Sequence, residues 1–231
     1  MTSARVRVAL VPPAPGALPA DACAVAIDVL RATTTLAVAR MNGAARVVPF
    51  ATPAEALAYR SRTPATLACG EREGRIVEGF DLGNSPREYT RERVNGRSLA
   101  FASTNGSRAL LAASRCRRKL LGSFAALTAT VEALATERDV WLVCAGKLGR
   151  FALEDAACAG TIAARLAASG GTLANDEAMF CRSLACDDAV AVRSVVTGCD
   201  HGRWLASLGD AFAADVDYCA TVDTLAACPE W

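Results

Sequence analysis

The sequence carries almost no net charge and contains no long apolar run, and each absence excludes a class of protein. Its 231 residues include 25 basic and 24 acidic side chains, for a formal net charge of +1. Such a chain has no basic excess for non-specific binding to nucleic acid. No run approaches the roughly 18 apolar residues that indicate a membrane-spanning helix. We therefore expect neither a nucleic-acid partner nor insertion into a membrane.

The chain also has only one histidine and no C-x-x-C pair, so the usual ligands of a structural zinc site are missing. Its ten cysteines do not indicate disulfides, because Cys23, Cys69 and Cys144 lie within apolar runs, where a reduced thiol behaves as a small hydrophobic side chain. The apolar stretch within residues 1–13 is too short for the core of a signal peptide. We predict reduced thiols and a cytosolic location.

Short apolar runs alternate with amphipathic, alanine-rich stretches along the whole chain. The predicted strands are 6–11, 22–29, 46–49, 65–69, 98–102, 119–121 and 139–144. The predicted helices are 33–42, 53–60, 106–114, 124–136, 153–169, 175–185, 187–195 and 201–208. This alternation predicts an α/β protein with a layered, largely parallel sheet flanked by helices. We expect one domain over residues 1–231, which a seam near 115–122 would divide into two α/β lobes.

Polar residues that follow a strand are the first candidates for a site, because ligands of open α/β sheets bind beyond the carboxyl ends of the strands. Asp28 ends an apolar run, and Arg31, Thr33 and Thr34 follow it. The carboxylate suits a hard cation, the guanidinium suits a phosphate or sulfonate, and hydroxyls at a helix start suit an anion. The alternative is that Thr33 only caps the helix and Asp28 pairs with Arg31. We favour function, because a buried acid is costly unless it is used.

Two further candidates lie in the long polar stretch 70–96. Composition alone favours a solvated loop around Glu71. The segment GFDLGNSP contains Asp81, Asn84 and Ser85, and it fits a metal or phosphate loop as well as a simple helix cap.

Two more candidates follow later strands. The segment STNGSR places Thr104, Asn105 and Gly106 between a strand and a helix, where backbone N–H groups could face an anion or merely begin the helix. Cys144 and Arg150 have the C-x5-R spacing of cysteine-dependent phosphatases, with Lys147 between them. Only those two positions of that motif agree, and the spacing often arises by chance.

The same loop runs on into Glu154 and Asp155 at a helix start, which could bind magnesium or only favour the helix dipole. A lone histidine, His201, beside a glycine before a helix is more typical of a cap or a surface position than of catalysis.

Taken together, these segments resemble the 2-phosphosulfolactate phosphatase family. The matching stretches are AIDVLRATTT (26–35), GERE (70–73), GFDLGNSP (79–86), STNGSRA (103–109), LLGS (120–123), CAG (144–146), FALEDAACAG (151–160) and HGRWLASLG (201–209). The resemblance implies a family-specific α/β fold and a magnesium-dependent phosphatase. The family's reaction converts 2-phosphosulfolactate to sulfolactate and phosphate, a step linked to coenzyme M synthesis in methanogens. The resemblance also makes Glu71 and the 79–86 loop candidates for the site.

On this reading, we predict that Asp28 and Asp81 contact Mg²⁺. Either Glu154 or Asp155 supplies a further contact. The predicted catalytic residues are Asp28, Arg31, Asp81 and Glu154. The predicted substrate-binding residues are Arg31, Thr33, Thr34, Glu71, Asn84, Ser85, Thr104, Asn105, Gly106, Lys147 and Arg150. The attacking group is either a water activated by a carboxylate or Asp28 itself.

Two other functions are compatible with the same residues. A non-catalytic binder of small anionic metabolites would use the arginines and helix starts without metal carboxylates. A phosphatase with Cys144 as its nucleophile would not need a metal. A homo-oligomer is compatible with each of them, since loops of a neighbouring subunit could line the site.

Overall fold

Two β-sheets with helices packed on them organise the chain in the computed structural model, which describes residues 4–231. The strands are β1 (Arg5–Ala9), β2 (Cys23–Ile27), β3 (Arg46–Pro49), β4 (Thr66–Arg72), β5 (Arg75–Ile76), β6 (Ser98–Ala102), β7 (Arg118–Gly122), β8 (Asp139–Cys144) and β9 (Thr172–Leu173). The helices are α1 (Ala32–Met41), α2 (Pro53–Arg62), α3 (Arg91–Val94), α4 (Gly106–Ala112), α5 (Leu127–Leu134), α6 (Leu153–Ala168), α7 (Asp176–Arg182), α8 (Ala189–Gly198), α9 (Asp200–Ala206) and α10 (Asp210–Cys219).

The first sheet has the strand order β7-β2-β8-β1-β9, and all its neighbours are parallel. The second has the order β3-β6-β4-β5, with only β5 antiparallel. The predicted α/β class with a largely parallel sheet is therefore confirmed. Every residue of β2 is buried, which explains why its sequence, CAVAI, is continuously apolar.

Strand β2 separates two apolar cores. Cys23, Val25 and Ile27 pack into a core on one face of the first sheet, which helix α6 and the C-terminal helices cover. Ala24 and Ala26 face a second core, shared with strands of the second sheet. Because side chains of a strand alternate between its faces, one short sequence contributes to both cores.

The chain enters the second sheet after α1 and returns to the first sheet at β7, close to the seam suggested near 115–122. The division into lobes stays a prediction.

Several predicted boundaries need correction. The polar stretch 70–96 is not one loop, because it contains the end of β4, β5, a short 3-10 turn at Pro86–Glu88 and α3. The helix predicted over 124–136 begins with a 3-10 turn at Phe124–Ala126 and ends at Leu134. Strand β9 was not predicted, because two residues at a sheet edge show no periodicity. Within residues 4–231, no helix combines the length and apolar character needed to cross a membrane.

Candidate active site

The carboxyl ends of four strands, two from each sheet, meet at one cavity of about 340 Å³. Strand β2 leads to Asp28, β4 contains Glu71 near its end, β6 leads to Thr104, and β8 leads to Lys147. Helix α9 closes another side with His201 and packs beside these strand ends. The ends of the strands were expected to bring polar residues together, and Asp28 and Glu71 do lie at one cavity.

Asp28 is fixed by the first turn of α1. The backbone N–H of Ala32 donates to its Oδ1 at 3.2 Å, and the backbone N–H of Asp28 donates to the Thr33 hydroxyl at 2.8 Å. That hydroxyl donates in turn to the carbonyl of Gly122 at 2.6 Å, and the Thr34 hydroxyl donates to the carbonyl of Val29 at 3.0 Å. Both threonines hold the backbone in place, and neither lines the cavity.

The charge state of Asp28 is governed by its surroundings. Burial raises the pKa of its carboxyl to about 7, and the nearby carboxylates of Glu71 and Glu154 act in the same direction. His201 and the N–H of Ala32 act in the opposite direction. Its Oδ2 receives no hydrogen bond from residues 4–231. A cation placed beside Oδ2 would favour the ionised form.

Glu71 joins the two loops on its sides. Its Oε1 accepts the N–H of Thr104 at 2.7 Å, and its Oε2 accepts the N–H of Gly74 at 2.8 Å. Glu71 is buried and lines the cavity, so a solvated loop, which composition alone favoured, is wrong. The hydroxyl of Thr104 and the Oδ1 of Asn84 are buried at the same cavity and have no partner within the described chain.

Arg31 lines the cavity but is already paired, and not with Asp28. Its Nη1 donates to Asp215 at 2.6 Å, and its Nη2 donates to the carbonyl of Gly74 at 2.7 Å. Asp215 also accepts hydrogen bonds from the Ser85 hydroxyl at 2.6 Å and from Arg87 at 2.9 Å. Ser85 therefore supports Arg31 indirectly and lies outside this cavity. Asp215, buried in α10, was not singled out from the sequence, where it belongs to an acidic segment with no local motif.

His201 is neither a cap nor a surface residue, contrary to expectation. It is buried within α9, and its Nδ1 lies 2.8 Å from Oε1 of Glu154 at the start of α6. Burial alone would raise the pKa of Glu154, but the hydrogen bond and charge of His201 outweigh burial, so that pKa lies below its ordinary value. The side chain of His201 lines the cavity, and its Nε2 has no hydrogen-bond partner among the described residues.

Asp155 has a structural environment. Its Oδ1 accepts the N–H of Val29 at 2.9 Å, and its Oδ2 accepts the N–H of Gly146 at 3.0 Å. It therefore ties the end of β2 to the end of β8. Burial, followed by the charges of Glu154 and Asp28, raises the pKa of Asp155 well above its ordinary value. Asp155 does not line the cavity. Glu154 does not line it either, and its Oε1 is used by His201.

The predicted convergence of Asp28 and Asp81 is not observed. The Oδ2 of Asp81 accepts the N–H of Ala68 at 2.8 Å and pairs with Arg60 at 2.9 Å, on the side of the second sheet that α2 covers. Asp81 does not line the cavity, and its side chain is 36% exposed. We leave it out of the metal-binding set.

The loop after β8 is a tight turn and not a phosphate cradle around a thiol. Lys147 and Arg150 exchange backbone hydrogen bonds of 2.9 and 3.0 Å. The Cys144 thiol is fully buried in the core, and burial, followed by the charge of Asp155, raises its pKa well above the ordinary value. Both the burial and the raised pKa argue against a nucleophilic thiolate at Cys144.

The remaining predicted residues divide between the cavity and its surroundings. Asn105 lines the cavity, and its Oδ1 accepts the N–H of Leu148 at 2.9 Å. Gly106 lies directly behind Asp28, since a methyl group at residue 106 would lie 2.7 Å from its Oδ2. Arg150 lines a neighbouring, wider cavity of about 830 Å³ that also includes Lys147 and His201.

Comparison with known proteins connects this geometry to a family. The family model described as 2-phosphosulpholactate phosphatase matches residues 12–231. A protein of Thermotoga petrophila named "Probable 2-phosphosulfolactate phosphatase" is 39% identical over 206 residues, which cover 89% of this chain and 87% of that protein. A protein of the same name from Synechococcus sp. (strain JA-3-3Ab) is 42% identical over 220 residues, which cover 94% of this chain and 90% of that protein. The chain belongs to the 2-phosphosulpholactate phosphatase family.

Proposed function

We propose that this protein is a phosphoric monoester hydrolase that converts 2-phosphosulfolactate to sulfolactate and phosphate with Mg²⁺ as its cofactor. The observation that carries the proposal is the position of Asp28. Its buried carboxylate, with one oxygen unused by the described chain, shares a cavity with the cations of Arg31 and Lys147. The names of the relatives support the same substrate.

The oxygen atoms at the cavity fit a hard cation. Asp28 offers Oδ2, while Asn84 Oδ1 and the Thr104 hydroxyl are buried without a protein partner. No group of three or more His, Cys, Asp or Glu side chains within residues 4–231 forms a ready metal site. Mg²⁺ does not require such a cage, because it is usually held by one or two carboxylates together with waters and substrate phosphate. Bound there, the ion would neutralise phosphate charge and polarise the phosphoryl group as a Lewis acid.

The cations of the cavity suit a substrate with carboxylate, sulfonate and phosphate groups. Arg31 is held rigidly by Asp215, and its remaining N–H groups can face one planar anionic group. Lys147 supplies a second positive charge from the loop after β8. The amide nitrogen of Asn105 remains as a donor, because its oxygen is used by Leu148. These groups would bind and orient the anion before reaction.

His201 is the group we assign to protonate the departing oxygen. Hydrolysis breaks the ester P–O bond and leaves an alkoxide, which is a poor leaving group without a proton. Glu154 fixes the ring through Nδ1 and leaves Nε2 for the cavity. The attacking group is a water in the cavity or Asp28 itself. Both routes require the carboxylate of Asp28.

The test is release of inorganic phosphate from synthetic 2-phosphosulfolactate by the purified protein, with added Mg²⁺ and with EDTA. We expect turnover with the metal and its loss with EDTA, restored by excess Mg²⁺. Turnover that EDTA leaves intact would remove magnesium from the proposal. Binding of the substrate without phosphate release under any metal condition would instead support a non-catalytic binder of anionic metabolites.

A further inference from the structure

A lysine and a tryptophan that line the cavity form a contact whose role the proposed function leaves open. The ammonium group of Lys147 lies 4.5 Å from the centroid of the Trp204 ring. Both side chains line the cavity. Trp204 follows His201 by three residues on α9, so both rings lie on one face of that helix, with centroids 5.7 Å apart.

Two cationic side chains, Arg31 and Lys147, line this cavity, and Lys147 has fewer polar partners than Arg31. Arg31 forms a buried ion pair with Asp215 at 2.6 Å. Within residues 4–231, no carboxylate lies within 4.0 Å of the Lys147 ammonium, whose described contact is the aromatic face. An aromatic face attracts a cation without using up its strong hydrogen-bond donors. The three N–H groups of Lys147 therefore stay available to a bound anion.

Trp204 is itself held in position by packing. A methyl group at Gly74, in the turn between β4 and β5, would lie 3.3 Å from a ring carbon of Trp204, so the ring and this turn are in close contact. The tryptophan is 36% exposed, at the edge of the site and not in the core. The ring thus supports Lys147 from the side of α9.

We propose that Trp204 is a positioning residue, which holds the Lys147 ammonium where it binds the sulfonate of the substrate and so sets the preference for sulfonated substrates. This inference rests on the proposed function for the identity of the ligand. The two cations differ in the anionic groups that they can bind. The planar fork of Arg31, which Asp215 and the carbonyl of Gly74 fix in one direction, pairs best with an anion that approaches in its plane. A sulfonate presents three oxygens around a tetrahedral sulfur, which a compact ammonium with rotatable donors can meet from any side.

The experiment compares ligands that differ only in the sulfonate. Calorimetry measures the binding of sulfolactate and of lactate to the full chain. Kinetics compares kcat/KM for 2-phosphosulfolactate and for 2-phospholactate. The variants are Lys147→Met, Trp204→Leu and Trp204→Phe. The matched control is Trp141→Leu, which removes a ring with a cation, Arg7, at 5.5 Å but outside the cavity.

We expect Lys147→Met to reduce the preference for sulfolactate over lactate by about 10- to 100-fold. Trp204→Leu should reduce it by about 3- to 10-fold. Trp204→Phe, which keeps an aromatic face, should recover most of that loss. In turnover, the loss in Trp204→Leu should appear in KM for 2-phosphosulfolactate more than in kcat. Trp141→Leu should keep the wild-type preference.

Three results would overturn the inference. One is a sulfolactate preference that survives Lys147→Met. Another is an equal loss for both ligands, or an equal loss in Trp141→Leu, which would indicate general weakening of the fold. The third is wild-type protein that does not distinguish sulfolactate from lactate. If the wild type releases no phosphate yet prefers sulfolactate through Lys147, the proposed function fails while sulfonate recognition by this pair stands.

Discussion

The Nδ1 of His201 lies 2.8 Å from Oε1 of Glu154, and this contact joins α9 to the first turn of α6 at the wall of the cavity. The two residues are 47 positions apart. Glu154, first considered as a metal ligand, is in the structure the partner that orients a ring. The contact gives the single histidine of the chain a fixed direction, which a proton donor needs.

Replacing His201 tests its role as the proton donor. We expect His201→Gln to lower kcat by about 10²- to 10⁴-fold, because general acid catalysis contributes on that order. KM should change less, since the variant keeps Arg31 and Lys147, the cations proposed to bind the substrate. Steady-state kinetics with 2-phosphosulfolactate measures both. Glu154→Gln should give a smaller loss of kcat, because the amide can still accept a hydrogen bond from the ring. An unchanged kcat in His201→Gln would remove the histidine from the reaction.

Asp28 and Asp81 form a matched pair for a second prediction. Asp28→Asn should lower turnover by about 100-fold or more at saturating Mg²⁺, because it removes the buried charge on which the proposed cation binding depends. Asp81→Asn should stay close to wild type, since Asp81 lies outside the cavity and pairs with Arg60 in a partly exposed site. Circular dichroism checks that both variants fold. Near-normal turnover of Asp28→Asn would contradict the proposed mechanism, and inactive Asp81→Asn would restore the sequence-based metal set.

How much of this site the sequence could predict depends on how local each signal is. Asp28 and Thr104 follow strands, so short-range patterns found them. Glu71 became a candidate only through the resemblance to the family, because composition alone favoured a solvated loop there. The Arg31–Asp215 contact joins residues 184 positions apart and appears only when α10 packs on the cavity. Asp81 was predicted as a metal ligand but lies outside the cavity. The local pattern of oxygen ligands around it contains no information about which side of the second sheet the loop occupies.

The same limit applies to the fold. Strands β3, β6 and β8 have the predicted bounds, since each is a short apolar run between turn signals. The partition of the strands into two sheets depends on pairing between distant segments, and no periodicity encodes it.

The raised pKa of Asp28 predicts how stability of the metal-free protein depends on pH. The carboxyl titrates near pH 3.8 when unperturbed and near 7 in the fold. Between these values the unfolded chain binds fewer protons than the native protein, so the free energy of unfolding falls as pH rises. The loss between pH 4 and pH 8 attributable to Asp28 is roughly 4 kcal/mol. Urea unfolding in EDTA, measured across this pH range for wild type and for Asp28→Asn, isolates the contribution of Asp28. The variant should lack this part of the decline in the free energy of unfolding. Parallel pH curves for the two proteins would argue against a protonated Asp28.

We predict that the reaction does not use the thiol of Cys144. Cys144→Ala should keep its kcat within about twofold, because the thiol is buried in the core and its pKa is raised. The free energy of unfolding should fall by about 1 kcal/mol, since a small buried group is lost. Kinetics and urea unfolding measure the two effects separately. Loss of activity with unchanged stability would bring the cysteine mechanism back.

Gly106 is the residue whose smallness allows Asp28 to occupy its position. A methyl group there would lie 2.4 Å from Cβ of Ala32 and 2.7 Å from Oδ2 of Asp28, and both distances are too short for real contacts. Gly106→Ala should therefore push the carboxylate or α1 aside, at a cost of about 1–3 kcal/mol in unfolding free energy. Turnover should fall by about 10- to 100-fold, because misplacing a reactive group by about 1 Å costs on that order.

Gly198→Ala is the control for this substitution. Outside its chain neighbours and the nearby backbone of its own helix, no atom lies within 4 Å of a methyl group at residue 198, which ends α8 with helical backbone. This variant should be as stable as wild type or more stable by about 0.4–1 kcal/mol, because alanine restricts the unfolded chain. Its turnover should be unchanged. Since both variants add the same methyl group, the difference between them isolates the close approach to Asp28. Equal kinetics for Gly106→Ala and wild type would mean that the carboxylate need not be where the structure places it.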